Sequence, residues 1–347
     1  MVSPSLKLSY LLILYYVLTF LLFFVCLQEN ETEVKYEEEF TLNSRGMQLL
    51  ASRWVPQNEA PKALVFICHG YAIECSITLN TTRLAKAGYA VYGLDYEGHG
   101  KSDGLQGFVN SFDDVINDCS NYFNTICEKT ENKKRMRYLL GESMGGAVAL
   151  LLHRKMPQYW NGAILVAPMC KIADDMRPNT MMVSLLSALC KVVPTWRIVP
   201  ALDIIDLAFK VPQVREQIRG NPYCYKGRPR LKTAYELVRV STEIEQRLNE
   251  VSLPFLVLHG EEDKVTDKSV SNELYDVASS LDKTIKMYPG MWHGLLYGEP
   301  IENLNIVFSD IINWLEEKSQ YGNTIIETEH KEQMEDSLFV NGSKQDC

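Results

Sequence analysis

The segment Gly141-Glu142-Ser143-Met144-Gly145-Gly146 lies directly after the short apolar run Arg137–Leu140 and directly before the helical run Ala147–His153. Glycines two residues to either side of a serine at a strand-to-helix junction allow a tight, strained turn. Such a turn projects the hydroxyl and points the N–H groups of the helix start toward it. A junction of this kind belongs to a sheet whose parallel strands feed helices, and the rest of the chain has that rhythm. Ala63–Cys68, Ala90–Asp95, Ala163–Ala167, Phe255–Leu258 and Thr284–Tyr288 are apolar runs mostly too short for helices, separated by amphipathic stretches. Ser111–Thr130 reads as one of the helices, opened by Ser111 with Asp114 three residues on, and with Val115, Tyr122, Phe123 and Ile126 on one face. Lys268–Ser280 is another, and Pro300 fits the first turn of a last one striped by Leu304, Val307, Ile311 and Leu315. Ahead of these, Glu38–Asn43 and Met47–Val55 flank a turn with Gly46 and read as a hairpin.

One stretch breaks the alternation. Residues 169–250 carry helix patterns and no clear strand, which makes them an excursion from the sheet, read as a helical cap or lid. Its first helix, Asn179–Val193, carries Met182, Leu185, Leu186, Leu189 and Val193. A second apolar cluster follows in Trp196, Ile198, Val199, Leu202, Ile204, Ile205, Leu207 and Phe209. These stripes either pack within the cap and on the core, as amphipathic helices do, or wall a site for an acyl or aryl group, and both can hold at once. Residues 210–232 then bring Lys210, Arg215, Arg219, Lys226, Arg228, Arg230 and Lys232 against Glu216. The plain reading is a solvated face or pairing with core acids. The functional one is contact with anionic headgroups or a substrate carboxylate.

Before the globular part, Leu8–Leu27 is free of charge, and about twenty helical residues match the roughly 30 Å core of a bilayer. A cleaved signal peptide has a shorter apolar region and a small-residue cleavage site, for which Val25-Cys26-Leu27 is poor, so residues 1–28 read as a single-pass anchor. Residues 29–36 read as an acidic linker, with the fold beginning near residue 37, and residues 321–347 as an acidic tail. The core then comprises 37–168 and 251–320. Lys7 and Lys35 do not decide orientation. The sequon at Asn80 would matter only in a lumenal domain, whereas the unpaired cysteines favour a catalytic domain facing the cytosol. The nine cysteines form no CxxC pair and no zinc-spaced cluster, so neither a disulfide framework nor a metal site is expected. A net charge of -9 argues against nucleic acid as a partner.

The chemistry follows from Ser143. A serine hydroxyl is a weak nucleophile that needs a base, itself oriented by a carboxylate. The strand Phe255–Leu258 leads to Glu261, Glu262 and Asp263, of which Asp263 is the expected orienting acid and the two glutamates its rivals. The last strand leads through Pro289, Gly290, Met291 and Trp292 to His293, the expected general base. The chain order Ser143, Asp263, His293, with each residue at a strand end, is that of serine hydrolases built on such a sheet. An oxyanion hole needs two backbone donors, here the N–H of Met144 and the N–H of Tyr71 in the loop after Ala63–Cys68. His69 and His99 read as structural. Gly100-Lys101-Ser102 is not a P-loop, because Asp95 stands where its first glycine is needed.

From about Thr41 to Gln320 the chain resembles the monoacylglycerol lipase family of serine hydrolases, and looks closest to the plant branch that includes caffeoylshikimate esterases. The resemblance is carried by Cys68–Tyr71, Gly93–Gly104, Gly141–Gly146, Val257–Asp263 and Met287–His293. It implies an α/β-hydrolase core, a mostly parallel sheet flanked by helices, with an inserted helical cap. It also implies Ser143, Asp263 and His293 as the triad, with Tyr71 and Met144 as oxyanion donors. The expected activity is cleavage of a small carboxylic ester of monoacylglycerol type through an acyl-enzyme, without cofactor, metal or obligate protein partner. The N-terminal apolar run and the cap composition depart from the soluble members. Alternatives are a caffeoylshikimate esterase, a lysophospholipase or acyltransferase, and, from another class, a ligand receptor on a hydrolase scaffold.

Overall fold

A computed structural model describes residues 33–77, 81–171, 180–199 and 203–320. The apolar run Leu8–Leu27, the sequon residue Asn80 and the acidic tail lie outside them, and among the described residues no helix is long and apolar enough to cross a membrane.

Eight strands form one sheet in the order β1-β2-β4-β3-β5-β6-β7-β8. They are β1 (Val34–Leu42), β2 (Gln48–Pro56), β3 (Leu64–Cys68), β4 (Ala90–Leu94), β5 (Arg137–Glu142), β6 (Gly162–Val166), β7 (Phe255–Gly260) and β8 (Lys283–Tyr288). β1 and β2 pair antiparallel, and β2 also joins β4 antiparallel. From β4 to β8 every pairing is parallel. The central strands are buried on both faces, as a sheet covered by helices on two sides requires, and for that reason they read as continuous apolar runs.

The helices are α1 (Thr81–Lys86), α2 (Phe112–Cys127), α3 (Met144–Lys155), α4 (Thr180–Cys190), α5 (Ile204–Ala208), α6 (Pro212–Gly220), α7 (Leu231–Glu245), α8 (Lys268–Val277) and a last helix, α9, over 301–320. One sheet face is covered by α2, α3 and α8. The other carries α1 and α9, whose Val307, Phe308, Ile311 and Leu315 pack with Leu140, Ile164 and Leu256.

The acidic stretch is shorter than the composition suggests. β1 starts at Val34, inside the segment expected as linker, because Val34 pairs with Pro56 at the far end of the ladder. Tyr36 lies against Trp54 with ring centroids 5.0 Å apart, and Arg53 pairs with Glu37 at 2.8 Å, so cross-strand contacts overcome the poor strand propensity of the glutamates. Helix α2 also begins differently. Ser111 makes no capping hydrogen bond with its side chain. The N–H of Phe112 instead donates to Glu236 Oε2 at 3.0 Å, so a carboxylate from α7 serves the helix start.

Between β6 and β7 the described residues hold only helical structure, α4 to α7 and a short turn over Leu248–Glu250. Its last helix is part of the main core. Val240, Ile244 and Leu248 are buried with Leu150, Val251 and Leu253, and Thr233 accepts the N–H of Val109 at 2.9 Å. α4 behaves otherwise, with Cys190 buried but Met181 81% and Leu185 55% exposed.

Candidate active site

Ser143 stands between β5 and α3 with φ 54° and ψ -118°, a left-handed conformation that an L-residue adopts only under strain. The turn closes because its neighbours lack side chains. A Cβ on Gly141 would run into the carbonyl of Gly145, and one on Gly145 into that of Cys68. The Ser143 N–H donates to Val166 at 3.0 Å and its carbonyl accepts from Met169 at 2.9 Å, which ties the turn to β6. Its Oγ makes no hydrogen bond among the described residues and faces a pocket of about 280 Å³.

His293 lines the same pocket and is 6% exposed. Its Nδ1 lies 2.7 Å from Asp263 Oδ2. The loop after β7 holds Asp263 in a cradle in which Oδ1 accepts the N–H groups of Val265 (2.7 Å) and Thr266 (3.1 Å), and Oδ2 the Thr266 hydroxyl (2.9 Å). His259, buried in β7, brings Nε2 to 3.1 Å from Oδ2, its Nδ1 meeting the Ser271 hydroxyl at 2.7 Å. Burial alone would raise the carboxyl, but the charges and hydrogen bonds of His293 and His259 hold Asp263 well below the usual carboxylate range. Burial likewise lowers the His293 imidazole, and Asp263, by charge and hydrogen bond, together with Glu142 outweighs it, leaving His293 raised above the ordinary histidine value. The rival carboxylates take no part in this contact. The backbones of Glu261 and Glu262 pair with Tyr288 and Met291, and Glu262 is exposed.

Gly70 and Tyr71 line the same pocket, with Gly70 packed directly against the elbow. Among the described residues the Tyr71 N–H is used by no turn hydrogen bond, and Met144 opens α3, where an N–H has no acceptor within the helix. The phenol of Tyr71 is tied down by donating to Gly107 at 2.8 Å.

His69 packs beneath, its Nδ1 on the Gly70 carbonyl (2.8 Å) and its Nε2 accepting the Tyr96 N–H (3.2 Å). His69, Cys75 and Asp95 do bring ligand-type atoms within 4.8 Å of one another. Both ring nitrogens of His69 are nonetheless occupied, and Asp95 accepts the N–H groups of Cys75 and Lys101. His99, buried, points Nδ1 at the carbonyl of Glu97 at 3.2 Å. Seven cysteines, Cys68, Cys75, Cys119, Cys127, Cys170, Cys190 and Cys224, are buried free thiols.

The insertion supplies the apolar side of the pocket, through Ile204, Ile205, Ala208, Phe209 and Ile218. This wall is stitched to the loop that carries His293. The Gly294 N–H donates to Ala208 at 2.9 Å, and the N–H groups of Lys210 and Val211 both donate to Gly298 at 3.0 Å. Of the basic run, Arg215, Arg219, Lys210 and Lys232 meet acids. Arg230 is buried on the carbonyls of Thr195 and Gln106, while Lys226 and Arg228 line the pocket rim. Arg228 forms no ion pair among the described residues.

Sequence reasoning missed His259 and Thr266, because a histidine inside an apolar strand and a threonine in a loop look like ordinary filling. Their signal is spacing alone, four residues before and three after Asp263.

A strained serine facing a pocket, an imidazole held by a buried carboxylate, and free backbone N–H groups on both sides define a hydrolase of the α/β type. The chain belongs to the family described as serine aminopeptidase, S33 (Hydrolase_4), whose model matches residues 59–300. It is 34% identical over 279 residues to caffeoylshikimate esterase of Arabidopsis thaliana, covering 79% of this chain and 84% of that one. It is 28% identical over 275 residues to monoglyceride lipase of Mus musculus, covering 79% and 88%. In fold it superimposes on a soluble variant of monoglyceride lipase from Saccharomyces cerevisiae in complex with a substrate analog, with a TM-score of 0.72 and 21% identity over 83% of this chain and 96% of that one. The protein is accordingly a carboxylic ester hydrolase of the monoglyceride lipase and caffeoylshikimate esterase type.

Proposed function

We propose that Ser143, His293 and Asp263 act as a triad that hydrolyses carboxylic esters of monoacylglycerol type. Ser143 Oγ attacks the ester carbonyl while its proton passes to His293, and Asp263 steadies the imidazolium. The N–H groups of Tyr71 and Met144 receive the developing oxyanion. The tetrahedral intermediate collapses, the C–O bond to the alcohol breaks, and His293 returns the proton to the leaving alkoxide. Water, deprotonated by the same imidazole, then frees the acid and restores Ser143.

The observation that carries this reading is a pocket lined both by Ser143 and His293 and by the apolar Ile204, Ile205, Phe209 and Ile218. An aliphatic chain fits that wall. The apolar run Leu8–Leu27, as an anchor, would keep the pocket beside a bilayer from which such an ester enters, with the catalytic domain on the cytosolic side. A mobility shift on enzymatic deglycosylation, lost in Asn80→Gln, would overturn that orientation.

A second reading is favoured by Lys226 and Arg228 at the rim. They suit an ester whose alcohol carries an anion, such as caffeoyl shikimate or a lysophospholipid. The deciding measurement is kcat/KM on a monoacylglycerol and on caffeoyl shikimate, with Ser143→Ala as the blank. Preference for the glyceride supports the first reading and preference for the aromatic ester the second. Acyl transfer would appear as a new ester when a second alcohol is added. Absence of multiple turnover on any ester would instead favour a ligand receptor.

A further inference from the structure

The ester chemistry above makes no use of Glu142, the residue immediately before the nucleophile. It ends β5, is 3% exposed, and among the described residues neither of its carboxyl oxygens has a hydrogen-bond partner. A buried carboxyl without a donor is costly unless something else compensates for it. Glu142 touches two spaces. It lines the main pocket together with Ser143, His293 and Tyr297. It also lines a cavity of about 10 Å³ behind the elbow, whose walls are Ile67, Leu84, Leu140, Leu296 and Phe308 with Cys68, His69 and Thr81.

The titratable groups around it come from four places. His69 and Cys68 stand at the end of β3, where burial pushes the imidazole down to about 3 and the thiol up, so both are neutral near pH 7. Asp263, from the loop after β7, is an anion that repels it. Tyr297, beyond the base, faces it with a hydroxyl that favours the carboxylate without the alignment of a full hydrogen bond. His293 is the remaining neighbour, and each of the two groups favours the charged form of the other. Burial lifts the Glu142 carboxyl to about 7, the range in which a catalytic imidazole also works.

We propose that Glu142 is a positioning residue for the hydrolytic reaction, a second carboxylate that acts through His293 by placing negative charge beside the imidazolium formed when Ser143 gives up its proton. No bond to Glu142 forms or breaks. The Ser143 O–H proton goes to His293, and Glu142 adds to the hold that Asp263 exerts from Nδ1. This role rests on the triad reading above.

The test uses the full chain and a p-nitrophenyl ester as probe, with kcat/KM followed from about pH 5 to about pH 9. In Glu142→Gln, loss of the anion makes the imidazolium less favourable, so the acidic limb moves to lower pH by about half a unit or more and the plateau falls several-fold. Glu142→Asp keeps the charge and keeps the limb near its original position. A limb that stays put in Glu142→Gln, or an equal loss of rate in both variants without a shift, overturns the proposal, since packing alone would give that. If Glu142→Gln does not fold, Tyr297→Phe removes only the facing hydroxyl, and a smaller shift of the same sign is expected. An unmoved limb there overturns the proposal as well. Ser143→Ala separates the two readings. Residual full activity defeats the triad and Glu142 together, whereas a dead Ser143→Ala with an unmoved Glu142→Gln limb defeats Glu142 alone.

Discussion

Asp263 is met by two backbone N–H groups, a hydroxyl and two imidazoles in a site its side chain does not share with solvent. Eleven-residue α4, by contrast, leaves Met181 81% and Leu185 55% exposed, and Val192 beyond it is 78% exposed. In the first region polar groups are buried and nearly every one is paired. In the second, apolar groups stand in water. The contrast separates two tasks. A buried carboxylate held against two imidazoles needs fixed geometry and low solvent access, while the far side of the insertion is under no such demand. The pocket lies where the two meet, its polar floor built from sheet ends and its apolar wall from the insertion.

The sharpest way to break this comparison is at the floor. Ser143→Ala should lower kcat on any ester by about 10⁴-fold or more, with the thermal midpoint unchanged, as read by steady-state kinetics and a melting curve. Asp263→Asn should cost about as much, and it should also lower the melting midpoint, because the donors of the cradle lose their charged acceptor. Without any substitution, pH tests the same floor. The His293 pKa is raised, and the base works only when neutral, so kcat/KM should climb with pH through a midpoint above about 6.5 and fall roughly tenfold per unit below it.

The wall should respond less. Phe209→Ala removes a ring that packs on Tyr297 with centroids 5.2 Å apart, and should raise KM for a long-chain ester by about tenfold, the worth of about 1–2 kcal/mol of apolar contact. Smallest of all, Leu185→Ser on α4 should change stability by no more than about 0.5 kcal/mol in urea unfolding. A loss several times larger would mean that α4 is covered in solution.

The sheet is legible in the sequence because its inner strands are buried on both faces. Leu64–Cys68 shows as an uninterrupted apolar run and β7 as the run Phe255–Leu258, each found to within one or two residues. The strained turn at Ser143 is legible through its glycines, and the loops just past the ends of β7 and β8 hold the Asp263–His293 contact, with Ser143 and His293 lining one pocket. What could not be read depends on partners distant in sequence. Glutamates do not announce a strand, so β1 emerges only with Trp54 and Arg53 alongside. Nothing near Ser111 indicates that Glu236, 124 positions later than Phe112, will serve the start of α2. His259 and Thr266 are equally silent until the loop folds around Asp263.

The hydrogen bonds from Gly294 to Ala208, and from Lys210 and Val211 to Gly298, tie the apolar wall of the pocket to the loop that carries His293. Diversification of such an enzyme is thereby constrained. On the triad proposed above, a change at Ala208 or Phe209 that admits a new acyl group should also disturb the alignment of His293, and a descendant should gain breadth there only together with a slower turnover. Among the described residues the rim at Lys226 and Arg228 carries no hydrogen bond or ion pair to that loop, so on the same proposal variation there should alter which alcohol is accepted while leaving the rate intact. Across descendants of this scaffold, leaving groups should diversify faster than acyl chains.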